Sequence, residues 1–181
     1  MDKGNIILLN GVSSSGKSTL SKELTKILPN YYHLSIDDFD IVIERMEDRE
    51  NDRLIPVPTE YFFHRTIAMF SDKGVNLIVD QILHDSFTTE DCYKTLKDYP
   101  VLFVGVQCPI EELERREMQR GDRRIGQGKQ QLEYVHKSEV YDIVVDTYKD
   151  SLEHCAKNIA QLIQTQELPQ KWAVNCFVPE I

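Results

Sequence analysis

Eight residues constrain this chain more than any others: Gly11-Val12-Ser13-Ser14-Ser15-Gly16-Lys17-Ser18, followed by Thr19. The spacing is G-x-x-x-x-G-K-[ST], that of a phosphate-binding loop. Such a loop works only between a buried strand and a helix. Asn5 to Leu9 is short, apolar and branched, as a buried parallel strand should be. Thr19 to Leu28 places Leu20, Leu24, Ile27 and Leu28 on one helical face, and Pro29 stops it. Gly11 and Gly16 are expected to take backbone angles that would clash with a side chain. The loop then turns its N–H groups around a phosphate chain, at the positive end of a helix. The nucleotide-binding candidates are Gly11, Ser13, Ser14, Ser15, Gly16, Lys17, Ser18 and Thr19. Lys17 is expected to reach the β- and γ-phosphates, and the Ser18 hydroxyl to ligate Mg²⁺. The motif leaves the phosphate acceptor open.

The next strand, Tyr31 to Ile36, runs into Asp37-Asp38, with Asp40 close behind. Carboxylates at the carboxyl end of a parallel strand lie on the ligand-binding edge of an α/β fold. Asp37 follows the apolar run directly and is the candidate general base, ahead of Asp38. Asp38 or Asp40 is expected to cap the following helix. That helix passes into a charge run, Glu47 to Arg53, read as an exposed loop. Glu60 to Phe70 predicts a helix whose aromatics are mostly core, ended by Gly74. Val75 to Asp80 is apolar and then acidic, the pattern of a Walker B strand, so Asp80 is the second Mg²⁺ candidate.

Phe87 to Leu96 predicts a helix opened by Thr88 or Thr89, and Val101 to Val106 the clearest buried strand. Pro109 opens a charged helix, Glu111 to Arg120. Five arginines fall within ten residues here: Arg115, Arg116, Arg120, Arg123 and Arg124. Cations on a segment that closes over a transferring phosphoryl group are what such chemistry needs. Gly121 and Gly126 would hinge this lid, about residues 115–130. Arg120 and Arg123 are assigned to the nucleotide, Arg115 and Arg124 to solvent. A helix over Gln130 to Val140, a last strand over Tyr141 to Asp146 and an amphipathic helix over Ser151 to Ile163 complete the pattern. The reading is a domain over 1–164 and a tail over 165–181 that holds the only tryptophan, Trp172. Alternating strands and helices predict an α/β fold, a five-stranded parallel sheet covered by helices on both faces.

Composition narrows the partners. Thirty Asp+Glu against 21 Lys+Arg leave a formal charge of −9, which repels a phosphate backbone and argues against nucleic acid. Cys92, Cys108, Cys155 and Cys176 form no C-x-x-C pair, so neither zinc nor a disulfide framework is expected. The N-terminus has no leader pattern and the chain no long apolar run. A cytoplasmic protein without a membrane segment is expected.

Several segments together resemble the chloramphenicol phosphotransferases. They are Leu9-Asn10-Gly11 with Ser13-Ser14 and Gly16-Lys17-Ser18; Ile36-Asp37; Val104-Gly105-Val106 with Cys108; Arg120-Gly121-Asp122-Arg123; Tyr134-Val135-His136; Tyr141-Asp142; and Val145-Asp146-Thr147. The likeness covers most of residues 5–163. It implies a three-layer P-loop kinase fold with a helical lid, and transfer of the γ-phosphate of ATP to a primary hydroxyl of the antibiotic. By resemblance, Asp37 is the catalytic carboxylate, and Arg116, Arg120 and Arg123 belong to the lid over the nucleotide. Two features depart from that family. Asp80 is followed by Gln81, where the family commonly has a second acidic residue, and Glu44 to Pro58 is charge-rich, where its acceptor pocket is more apolar. The acceptor is therefore either chloramphenicol-like or another small hydroxylated molecule. The expected partners are ATP, Mg²⁺ and that acceptor. A slowly hydrolysing nucleotide-binding switch is the competing class; a nucleic-acid end kinase is disfavoured by the charge.

Overall fold

Ile6–Asn10 forms β1, and all five of its residues are buried. Both faces of β1 are apolar because both are covered. Ile6 and Leu8 pack among Phe63, Ile67 and Phe103, while Ile7 and Leu9 pack among Leu20, Leu24 and Ile159. A strand buried on two sides has no polar face to show, hence the unbroken hydrophobic run. The computed structural model describes residues 2–121, 124–137, 139–165, 168 and 172.

Four further strands flank β1: β2 (Tyr31–Ser35), β3 (Asn76–Gln81), β4 (Val101–Gln107) and β5 (Ile143–Asp146). Their order is β2-β3-β1-β4-β5, and every pairing is parallel. Register brings the carboxyl ends level: Leu9 lies opposite Asp80 and Val104, and Ser35 opposite Asp80. α1 (Lys17–Ile27) and α7 (Leu152–Thr165) pack together on one face, α3 (Thr59–Asp72) and α4 (Ser86–Leu96) on the other. The remaining helices are α2 (Ile36–Met46), α5 (Ile110–Arg120) and α6 (Gln127–Gln131). The expected five-stranded parallel sheet between helical layers is what forms.

Several local expectations are corrected. The second strand ends at Ser35, one residue early, and Ile36 already opens α2. Asp37 and Asp38 thus occupy the first turn of a helix, where carboxylates complement its dipole. The N-cap residue is Ser35, in extended backbone, and neither Asp38 nor Asp40 caps. The N-cap of α4 is Asp85, which accepts from the Thr88 amide at 2.7 Å; Thr88 and Thr89 lie inside the helix. Of the α3 apolar residues Phe63, Ile67 and Ala68 are core, while Tyr61, Phe62, Met69 and Phe70 are exposed. One face of α3 meets the sheet and α4, and Tyr61 instead lies under the Arg65 guanidinium, 3.2 Å from its ring centroid. The charge run folds back on itself, Asp48 and Arg53 exchanging two backbone hydrogen bonds of 3.0 Å.

The helix expected over 130–140 is displaced: α6 stops at Gln131 and the chain turns, with His136 at φ 69°. That turn buries Val135 against Val12, Cys108 and Leu113, and brings His136 Nδ1 2.7 Å from the Tyr141 hydroxyl. Tyr141 and Asp142 precede β5 instead of starting it. The Asp142 carboxylate accepts from the Phe103 amide at 2.7 Å, an edge position that strand pairing would otherwise take.

Trp172 is buried in the main core beside Phe103 and Tyr93, and its backbone N–H donates to the Lys97 carbonyl at 2.9 Å. Cys92, Cys108 and Cys155 are buried free thiols, and Cys176 lies outside the described residues. Among the described residues, no helix is long and apolar enough to cross a membrane.

Candidate active site

β1 delivers the chain to the sheet edge at Asn10, and α1 begins at Lys17. The six residues between must turn sharply. The two glycines serve this turn differently. Gly16 has φ 96°, a left-handed angle that side chains disfavour. Gly11 needs space instead: a Cβ there would sit 2.5 Å from the Val106 carbonyl oxygen and 2.9 Å from Ser15 Oγ. Left-handed backbone is also taken by Ser14, at φ 62°, so the expectation that both glycines supply unusual angles holds for Gly16 alone. Lys17 is buried and closes the loop, donating from Nζ to the Gly11 and Val12 carbonyls at 2.7 and 2.9 Å.

A cavity of about 440 Å³ opens over the loop. Ser13, Ser14, Gly16, Lys17, Ser18 and Thr19 form its floor, whereas Gly11 and Ser15 are buried behind it. Ile36 and Asp37 border it from α2, and Asp80, Gln81 and Ile82 from the end of β3. Asp38 is exposed and is not among the lining residues. Asp40 is half-buried, which raises its carboxyl; Glu60, Asp37 and Glu44 add to this, against a hydrogen bond with Thr59.

Asp80 is buried, and its Oδ2 lies 3.1 Å from His33 Nε2. Burial alone would raise its pKa. Hydrogen bonds from His33 and Ser35, with the nearby Lys17 charge, overcome that and hold the carboxyl below its ordinary value. Asp80 is thus an ionised oxygen donor on the wall of the cavity that Ser18 also lines. One carboxylate and one hydroxyl beside a phosphate site fit Mg²⁺, which takes few protein ligands and completes its shell with phosphate and water. Among the described residues no group of three or more His, Cys, Asp or Glu side chains could hold a metal by itself.

The arginines of α5 part ways. Arg116 is half-buried and fully engaged: Nε donates to Glu112 at 2.7 Å, NH1 to the Ser14 carbonyl at 3.2 Å and the Thr147 hydroxyl at 3.1 Å, and NH2 to the Thr147 carbonyl at 3.1 Å. Arg115 is exposed, and it also borders the cavity, its guanidinium donating to Glu112 at 2.6 and 2.7 Å. The Arg115 and Arg116 hydrogen bonds pull the Glu112 carboxyl down to about 2. Arg120 is exposed and lines the cavity, Arg124 is exposed, and Arg123 lies outside the described residues.

Some residues around the site escaped sequence reasoning. His64 is fully buried, with Nδ1 2.7 Å from Asp91 and Nε2 3.0 Å from the Gln81 side-chain amide, while Arg65 forks onto Asp91 at 3.1 and 3.0 Å. This chain ties α3 and α4 to Gln81 on the cavity wall. Glu117, also fully buried, accepts from the Gly126 and Gly128 amides at 2.7 and 2.8 Å. The Glu112–Arg116 pair had a visible signal in its i,i+4 spacing. His64–Asp91 and Gln131 had none, since their partners are distant in sequence.

A central strand feeding a phosphate loop into a helix, within a parallel sheet of this order, defines a P-loop phosphotransferase of the kinase class. The comparisons with known proteins narrow it. The chain belongs to the chloramphenicol phosphotransferase-like family, whose sequence profile matches residues 4–164. It is 26% identical over 194 residues to a protein of Mycobacterium tuberculosis (strain H37Rv) named "Putative O-phosphotransferase Rv2636", covering 93% of this chain and 86% of the relative. The tunicamycin resistance protein of Deinococcus radiodurans superposes with a TM-score of 0.70 at 18% identity, over 92% of this chain and 99% of that one. The APS kinase CysC of Mycobacterium tuberculosis, solved with AMPPNP and APS, superposes with a TM-score of 0.67 at 16% identity, over 91% and 99%. At such identities these two structures speak for the fold alone.

Proposed function

We propose that the protein transfers the γ-phosphate of ATP to a hydroxyl of a small molecule, with Asp37 as general base. One observation carries this: a carboxylate from α2 and the phosphate loop border the same cavity. An acceptor hydroxyl held against Asp37 gives it a proton as it attacks the γ-phosphorus. Lys17 exchanges its two carbonyl contacts for β- and γ-phosphate oxygens. Ser18 and Asp80 hold Mg²⁺, which when bound neutralises charge on the phosphates. Arg120, with Arg123, covers the nucleotide from the lid. The kinase domain spans 1–164, and Trp172 beyond it packs into that domain's core.

The acceptor is a chloramphenicol-like alcohol by family membership, or another hydroxylated compound. The wall favours a polar partner, since Asp37, Asp80 and Gln81 stand there. The test is a screen of alcohols with ATP and Mg²⁺, following ADP and phosphorylated product. ADP formation that depends on an acceptor is expected. Phosphate release at the same slow rate with every acceptor, and with none, overturns the transferase reading in favour of a nucleotide switch.

A further inference from the structure

Three consecutive residues of the phosphate loop are held from outside by three side chains. Gln131, at the end of α6, accepts from the Ser13 amide through Oε1 at 2.6 Å. Arg116 of α5 donates to the Ser14 carbonyl at 3.2 Å. The Thr147 hydroxyl, just after β5, donates to the Ser15 carbonyl at 2.6 Å and accepts from Arg116 at 3.1 Å. Arg116 borders the cavity, but neither Gln131 nor Thr147 is among its lining residues.

The consequence is geometric. In a trans peptide the C=O and N–H point in opposite directions, and the described residues contain no cis bond. Pulling the Ser15 carbonyl toward Thr147 therefore turns the N–H of Gly16, a residue that lines the cavity, away from Thr147. Ser14, at φ 62°, is a strained position that persists only if its surroundings over-determine it. Arg116 and Thr147 do so on one side and Gln131 on the other. α6 itself is fixed: the buried Glu117 carboxylate binds the Gly126 and Gly128 amides. Gly128 lets the helix approach so closely that a Cβ would sit 3.0 Å from the Ser13 carbonyl oxygen.

We infer that Thr147 and Gln131 are positioning residues, which hold the loop in the shape that receives phosphate without touching the ligand. This rests on the reading of the loop as the nucleotide's phosphate site. The test measures binding of ADP and of inorganic tripolyphosphate by calorimetry on the full chain, with thermal unfolding alongside. Thr147→Val and Gln131→Leu remove the outside contacts; Thr147→Ser and Gln131→Glu keep a hydroxyl donor and a carboxyl acceptor. The first pair should bind tripolyphosphate at least ~10-fold more weakly, the usual cost of losing a residue that orients a binding group. The second pair should lose clearly less than that ~10-fold, with all variants and wild type compared in high salt so that the charge added by Gln131→Glu is screened. A residue that merely stabilised the fold would lower the unfolding temperature without this pattern. Wild-type affinity in Thr147→Val and Gln131→Leu, or equal losses in the conservative pair, overturns the inference. If Thr147→Val does not fold, the Gln131 pair decides it. Lys17→Ala separates the two claims. If wild type binds no tripolyphosphate, or Lys17→Ala binds it as well, the phosphate-site reading falls and the inference with it. If Lys17→Ala loses binding while the positioning variants keep it, the positioning inference alone falls.

Discussion

At the scale of single residues, Asp37 and Asp38 are the sharpest contrast. They are neighbours in the first turn of α2, yet only Asp37 borders the cavity. Asn keeps the size of Asp but cannot take the acceptor's proton. Asp37→Asn should slow single-turnover transfer by ~10²–10⁴, the usual worth of a general base. Nucleotide affinity should stay near normal, because the phosphates rest on the loop. Asp38→Asn should lose far less. Near wild-type transfer in Asp37→Asn would leave activation of the hydroxyl to position and Mg²⁺. Lys17→Ala should cost at least ~100-fold in kcat/KM, the typical loss for one preorganised donor, and steady-state kinetics would read it.

At the scale of elements, the segment read as a lid is more firmly seated than a pair of glycine hinges implies. Gly121 and Gly126 do take left-handed angles, φ 69° and 85°. Glu117 nevertheless pins the Gly126 end to α5, and Gln131 pins α6 to the loop. Arg120 lies where α5 ends, just before this pinned segment. Arg120→Ala should lower kcat more than it raises the KM for ATP, since a lid cation acts most on the transition state. Equal losses in both would mark it as a uniform binding residue. The α3–α4 pair is pinned through His64 and Asp91. Asp91→Ala leaves the buried ring without its acceptor and should cost about 1–3 kcal/mol in urea unfolding. No change would mean that the pair contributes nothing to α3–α4 packing.

For the whole molecule, acid stability follows from which groups the fold has shifted. Glu112 titrates near 2 in the fold against 4.5 when unpaired. Its stabilisation is present above 4.5 and is lost as the pH falls toward 2, because the unfolded chain takes up the proton first. Asp80 and Asp91 are lowered and act in the same sense. Burial pushes the His64 imidazole below its ordinary 6.5, so the unfolded chain protonates first there too, and a shallower loss begins below 6.5. Asp40 and Asp142 are raised and offset part of the effect. Urea midpoints should therefore decline gently below pH 6.5 and steeply below 4.5. Glu112→Gln should flatten the lower limb, and a parallel curve would refute that assignment. Trp172 is the only tryptophan, and it is 2% exposed. Its emission should be blue-shifted in the native protein and shift red on unfolding. Trp172→Ala should cost about 3–5 kcal/mol, as for other buried aromatics, read by circular dichroism. An unchanged midpoint would mean that the core closes without it.

Local pattern carried the sheet, its parallel sense and the phosphate loop. Each depends on spacing within some 30 residues: a hydrophobic run, a glycine-bounded turn, a helical stripe. The same logic brought Asp37 to the edge of the cavity while misjudging its backbone, because one residue, Ser35, ends the strand early and stands at the N-cap of a helix. What the sequence could not show were contacts between residues far apart along it. Trp172 entering the core beside Phe103, Gln131 taking the Ser13 amide, and His64 buried against Asp91 have no periodicity to betray them. The outward turn of Phe62 and Phe70 belongs to the same class, since a helix with several apolar faces does not reveal which one the sheet will cover. Local geometry is set by each residue's own backbone and near neighbours, and so is written in sequence order. The partner of a buried polar group is set by how layers stack, and only the folded chain brings those residues together.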